Sequence, residues 1–113
     1  MNSEELARRI AGILDENKAG DIAVYDVRGT SSVTDFNVVA TGLSTPHLRA
    51  LVSAVRAALK AEGVVGYRAS GDHESGWVVL DYIDVIAHIF TGEAREYYDL
   101  DLLWAGKEKG EGR

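Results

Sequence analysis

The sequence predicts a single α/β domain, a five-stranded mixed sheet flanked by helices. Three observations lead there. The chain has 113 residues, close to the usual size of one core. Two segments carry apolar residues at helical spacing, and short β-rich runs lie between and after them. One of these helical segments joins two strands as a crossover, and a later pair of strands is close enough to form a hairpin.

The first helix opens at the N-terminus, where Asn2 and Glu5 fit a capping box. Leu6, Ile10, Ile13 and Leu14 form its apolar face, and Lys18 and Gly20 mark its stop. Ile22 to Val27 reads as a strand with Ile22, Val24 and Asp26 on one face, followed by a small-residue turn from Gly29 to Ser32. Asp35 to Thr41 is a second strand, and its Val38-Val39-Ala40 run predicts burial on both sides. Ser44 is an N-cap, and Pro46 sits in the first turn of the next helix, where its missing N–H costs little. Leu48, Leu51, Val52, Val55 and Leu59 form that helix's stripe, and Gly63 closes it.

Val64 to Ala69 reads as a weaker strand, and residues 71–76 as a polar loop. Trp77 to Leu80 and Val85 to Phe90 are the last two strands, joined by Asp81-Tyr82-Ile83-Asp84. Glu93 to Tyr98 reads as a helical turn, with Asp99 as cap of a last short helix, Leu100 to Trp104. Phe90, Leu103 and Trp104 are expected in the core. The domain is expected over residues 1–104, with 105–113 a disordered charged tail.

Charge is unevenly placed. Residues 1–60 carry 7 basic and 7 acidic side chains, whereas residues 61–113 carry 5 and 11, so the net −6 lies wholly in the second half. Seven of the nine aromatic residues follow residue 60. Aromatics among carboxylates suit a basic protein partner, because interface cores favour Tyr and Trp while opposite charge steers encounter. A broad basic face for nucleic acid is missing. Without Cys there are no disulfides, thiolate zinc sites or Cys nucleophiles. Acids replace the basic region of a signal peptide and no apolar run spans a membrane, so a cytoplasmic protein is expected.

Chemistry-bearing constellations are weak. Asp35, Asp81 and Asp84, at strand ends, could converge to hold Mg²⁺ for nucleotidyl transfer, but Asp81 and Asp84 have the odd spacing of a turn. No phosphate-cradling Gly loop with a Lys is present. His47, His73 and His88 lack metal spacing. His88 lies mid-strand among apolar residues, the setting of a hydrogen-bonded structural histidine. No Ser lies in a nucleophile elbow. Catalytic, cofactor and metal residues are therefore not assigned.

Two blocks carry a resemblance. The first is Asp21-Ile22-x-Val24-x-Asp26, Thr34-Asp35-Phe36 and Ala40-Thr41-Gly42-x-Ser44-x-x-His47. The second is Trp77-x-x-x-Asp81-Tyr82-x-Asp84-Val85-x-x-His88-Ile89-Phe90 followed by Arg95-x-Tyr97-Tyr98-Asp99-Leu100-x-x-Leu103-Trp104. In order and spacing they resemble the ribosomal silencing factor family, also called Iojap-like. The resemblance implies a fold similar to nucleotidyltransferases without their catalysis. It also implies a non-enzymatic translational repressor that binds the large ribosomal subunit through its ribosomal protein number fourteen and blocks joining of the small subunit. Little direct rRNA contact, no membrane and no cofactor are expected. A Mg-dependent nucleotidyltransferase-like enzyme and a homodimeric scaffold are the alternatives. The chain departs from the family pattern at Asn37, Ser70, Ile83 and Leu102, and the changes at Ser70 and Ile83 bear on loop contacts. The candidate partner-binding residues are Trp77, Tyr82 and Tyr98 as anchors, Asp81, Asp84 and Asp99 as partners for Lys or Arg, and His88 and Arg95, the latter braced by Asp99.

Overall fold

A computed structural model of the chain describes residues 1–65 and 68–109. Three helices, five strands and a 3-10 segment follow one another as α1 (Ser3–Glu16), β1 (Gly20–Asp26), β2 (Phe36–Gly42), α2 (Thr45–Ala61), β3 (Arg68–Asp72), β4 (Trp77–Asp81), β5 (Val85–Thr91), α3 (Gly92–Tyr98) and the 3-10 segment Leu100–Trp104. The strands form one mixed sheet in the order β1-β2-β5-β4-β3. Only β2 and β5 run parallel; the other pairs are antiparallel.

Local chemistry explains the helices. The Asn2 side chain accepts the Glu5 backbone N–H at 2.8 Å, and the Glu5 carboxylate accepts the Asn2 N–H at 2.8 Å, so the capping box is complete. The Ser44 hydroxyl caps α2 by accepting the His47 N–H. Every residue of the two expected stripes is buried. Both helices pack on one face of the sheet, over Val24, Phe36, Val38, Ala40, Val78, Leu80, Val85, Ala87 and Ile89. The opposite face carries Ala23, Tyr25, Val27, Val39 and Phe90, covered by Ala94, Leu100 and Trp104. Strand β2 is thus enclosed on both sides, as its apolar doublet requires.

Several expectations are corrected. The third strand is Arg68–Asp72, displaced into the segment expected as a loop, and its expected start includes residues 66 and 67, outside the described residues. Val64 carried the apolar signal but packs on the main core beyond α2. Strand β3 lies at the sheet edge with all five residues exposed, so no apolar periodicity marks it. Asp99 does not cap the 3-10 segment with its side chain; it adopts a left-handed conformation, φ 50°, where α3 ends. Over residues 105–109 the expected disordered tail instead pairs with β1. The Asp26 N–H donates to the Lys107 carbonyl and the Lys109 N–H to the Val24 carbonyl, around a Tyr25–Glu108 bridge. Residues 110–113 of that tail lie outside the described residues.

Two left-handed positions bear on the β3-β4-β5 meander. Gly71 has φ +92°, and a Cβ there would strike the Trp77 carbonyl oxygen. Ile83 has φ 75° and is largely exposed, in a turn closed by the Asp81 carboxylate accepting the Ile83 N–H at 2.7 Å. The tight turn forms despite a β-branched residue in a region such residues disfavour. Gly71→Ala should therefore lower unfolding stability by about 1–3 kcal/mol. Ile83→Gly should raise it by about 0.5–1 kcal/mol, because relief of the left-handed strain exceeds the added chain entropy. Urea unfolding measures both; equal effects would contradict this reading of the backbone.

Candidate functional site

The face opposite α1 and α2 is only partly covered. Along β4 the residues on it are Trp77, Val79 and Asp81, and along β5 they are Ile86, His88 and Phe90, by strand alternation and register. Register places Arg68, Ser70 and Asp72 of β3 beside them. Helix α3 and the 3-10 segment cover the β1-β2-β5 side of this face. Val79 and Ile86 remain part-exposed.

One guanidinium holds this cover down. Arg95 Nε and Nη2 donate to the Asp101 carboxylate at 3.1 and 2.8 Å, and Nη1 donates to the Asp21 carbonyl at 2.5 Å and to Thr41 Oγ1 at 2.9 Å. The Tyr25 hydroxyl donates to the same carboxylate at 2.6 Å. Arg95 therefore pairs with Asp101, six residues on, rather than with Asp99. Burial opposes ionisation of Asp101, but hydrogen bonds from Arg95 and Tyr25 outweigh it and hold its carboxyl below the usual range. Burial, reinforced by the hydrogen bond to Asp101, pushes the Tyr25 phenol well above its ordinary value. Trp104 packs on Tyr25 at 5.3 Å and on His88 at 5.6 Å between ring centroids.

An aromatic cluster follows. Trp77 stacks on Phe90 at 5.1 Å and meets Tyr98 at 4.7 Å, and Tyr97 stands edge-on to Tyr98 at 5.0 Å. His88 lies beneath, accepting the Trp77 indole N–H at Nδ1 (3.4 Å) and donating from Nε2 to Asn37 Oδ1 (3.2 Å). Burial depresses the imidazole to about 4, against the opposing pull of the Asp101 charge, so it is neutral at physiological pH.

The structure thus brings Trp77, His88 and Tyr98 together, with Asp81 at the end of β4 on the same face. Asp84 and Asp99 are exposed, and Arg95 is spent in the lock. The expectation that Tyr82 anchors a partner is corrected: it is 7% exposed and packs in the main core, because it falls on the other side of the hairpin. His88 is also buried and acts from below the surface. Leu103 is not core; Leu102 and Leu103 are 70% and 72% exposed. Sequence reasoning missed them because a five-residue element is too short to show which side faces out. It also missed Tyr25 and Asp101, whose pairing joins residues 76 positions apart.

Asp81 is engaged in its turn, and among the described residues no three His, Asp or Glu side chains form a metal-binding group. The crevice at the C-terminal ends of β2 and β5, where α/β folds hold nucleotides, is a hollow of about 740 Å³. Glu74, Glu93, Tyr97 and Tyr98 line it, and no Lys or Arg does among the described residues. Among the described residues no helix is long and apolar enough to cross a membrane.

A family model described as "Ribosomal silencing factor during starvation" matches residues 1–112. The ribosomal silencing factor RsfS of Chromobacterium violaceum is 35% identical over 109 residues, covering 96% of this chain and 88% of that protein. The RsfS of Haemophilus influenzae is 37% identical over 92 residues, 81% of this chain and 90% of the relative. A crystal structure of a Chromobacterium violaceum protein superposes with a TM-score of 0.87 at 34% identity, covering 96% of this chain and 91% of that one.

The lock makes stability depend on pH in one direction. Asp101 ionises more readily folded than unfolded, so its contribution is complete above the unfolded value of about 3.9 and fades as pH falls through the lower folded value. Asp101→Asn should cost about 1–3 kcal/mol at neutral pH, by loss of charge-assisted hydrogen bonds. Urea unfolding of both proteins should show the gap narrowing below about pH 4. A gap that stays constant into acid would contradict this.

Proposed function

The chain belongs to the ribosomal silencing factor family, and on that premise we propose that it represses translation by docking on the large ribosomal subunit. The partner is ribosomal protein number fourteen, and occupancy blocks joining of the small subunit when cells starve. The protein acts in the cytoplasm, without a membrane, a cofactor or catalysis.

The observation that carries this reading is the half-covered sheet face. Part-exposed Val79, Ile86 and Trp77 share it with Asp81 and with exposed Asp72 and Arg68 of β3, and Leu102 and Leu103 of the 3-10 segment are exposed. An apolar, aromatic centre with an acidic rim suits a basic protein surface. Steric exclusion needs a rigid surface of ordinary size rather than reacting groups. Carboxylates around the same patch repel phosphate, which keeps rRNA contact small. When no ribosome is present, the exposed Leu102-Leu103 pair favours self-association through this face, which light scattering across concentration would detect.

Sedimentation with purified large and small subunits tests the proposal. The protein should comigrate with large subunits and reduce formation of joined ribosomes. Ile86→Asp and Leu103→Asp should each weaken comigration at least tenfold, the loss of roughly 1.4 kcal/mol or more. A wild-type protein that neither comigrates nor reduces joining overturns the reading. Added salt should weaken binding, and Lys at Asp99 should hurt more than Ala. Stronger binding with Lys would make RNA the partner.

A further inference from the structure

We propose that the buried pair Asn37 and His88 is a positioning relay, which fixes the Trp77 indole in the docking face without touching the partner. This rests on the reading that the face docks a ribosomal partner, and it names two residues that set the quality of that site from beneath.

Direction in the relay follows from donor and acceptor inventory. An indole nitrogen can only donate, so His88 Nδ1, 3.4 Å away, must be an unprotonated acceptor. The proton of the neutral ring then sits on Nε2, which faces Asn37 Oδ1 at 3.2 Å. The amide oxygen therefore selects the one tautomer that can receive Trp77. Asn37 is 5% exposed and His88 9%, so neither reaches a partner. Asn37 and His88 stand on adjacent parallel strands, β2 and β5, in the most enclosed part of the sheet. The Trp104 ring at 5.6 Å seals His88 from above. The Asp101 carboxylate, whose charge acts on His88, is already engaged by Arg95 and Tyr25.

Among the described residues the indole is also held by ring contacts. Phe90 stacks on it at an interplanar angle of 23° and Tyr98 meets it at a tilt of 47°, contacts that carry no hydrogen-bond direction and leave the indole some freedom to turn. A hydrogen bond at Nε1 removes this freedom before docking. Ordering a large side chain in advance lowers the cost of binding.

Nitrogen NMR of the full chain and sedimentation with large ribosomal subunits test the relay together. In the free wild-type protein His88 should show a protonated Nε2 and a bare Nδ1, with no titration near the ordinary value of about 6.5. The opposite tautomer, or titration near that value, overturns the relay without any variant. Asn37→Leu and His88→Leu should broaden or shift the Trp77 indole N–H signal and weaken comigration about tenfold. His88→Gln supplies an amide oxygen for the indole and an N–H for Asn37, and should restore both. Variants with normal affinity for subunits that the wild type binds overturn the relay alone. If His88→Gln folds but rescues neither readout, a packing role replaces it. A wild-type protein that does not comigrate overturns the docking reading, and the relay's role with it.

Discussion

A partly buried guanidinium must be satisfied on every side, and Arg95 meets that demand by joining parts of the chain far apart in sequence. Its donors reach the 3-10 segment through Asp101, β1 through the Asp21 carbonyl and β2 through Thr41. Tyr25 completes the carboxylate's coordination from the sheet below. Truncating one partner of such a pair leaves the other charge uncompensated, so the whole C-terminal cover depends on it. The lock holds the segment that carries Trp104, whose ring shields His88. Burial, to which that ring adds, keeps His88 neutral, and Asn37 sets its direction. The pairing of residues 107–109 with β1 adds a second attachment at the outer edge.

The same lock explains why the two sheet faces differ. Helices α1 and α2 bury one face through long, regular stripes. The other face has only a seven-residue helix and a 3-10 segment, which cannot reach across five strands. What they leave open is the β3-β4 side, and what they place beside it is Leu102 and Leu103. Contiguous exposed apolar patches of this kind mark interaction surfaces. By register Asp72 and Asp81 stand on this open side, next to Arg68.

How much of this was legible depended on periodicity and range. The capping box at Asn2 and the α2 stripe from Leu48 to Leu59 are local patterns, and they read correctly from sequence. The doublet in β2 and the hairpin of β4 and β5 did too. Strand β3 did not, because an edge strand exposed on both faces has no apolar signature. Tyr82 was misassigned because a turn residue's side is set by hairpin geometry rather than by alternation. Leu103 was misassigned because its outward side is fixed by Arg95 and Asp101. Arg95 reads from sequence as a local brace to Asp99; its real partners lie in β1, β2 and the 3-10 segment, and no spacing rule points to them. The aromatic pair Trp77 and Tyr98 was legible as a likeness, while the buried Asn37–His88 support beneath it required coordinates.

On the proposed function, the aromatic sheet face meets the large subunit. Hydroxyl-radical footprinting of the protein, free and bound to purified large subunits, addresses it residue by residue. Trp77, Ile86, Leu102 and Leu103 should become protected on binding, while Lys60 and its neighbours on the outer side of α2 stay as reactive as before. Protection of the α2 surface, with the aromatic face unchanged, would contradict the account.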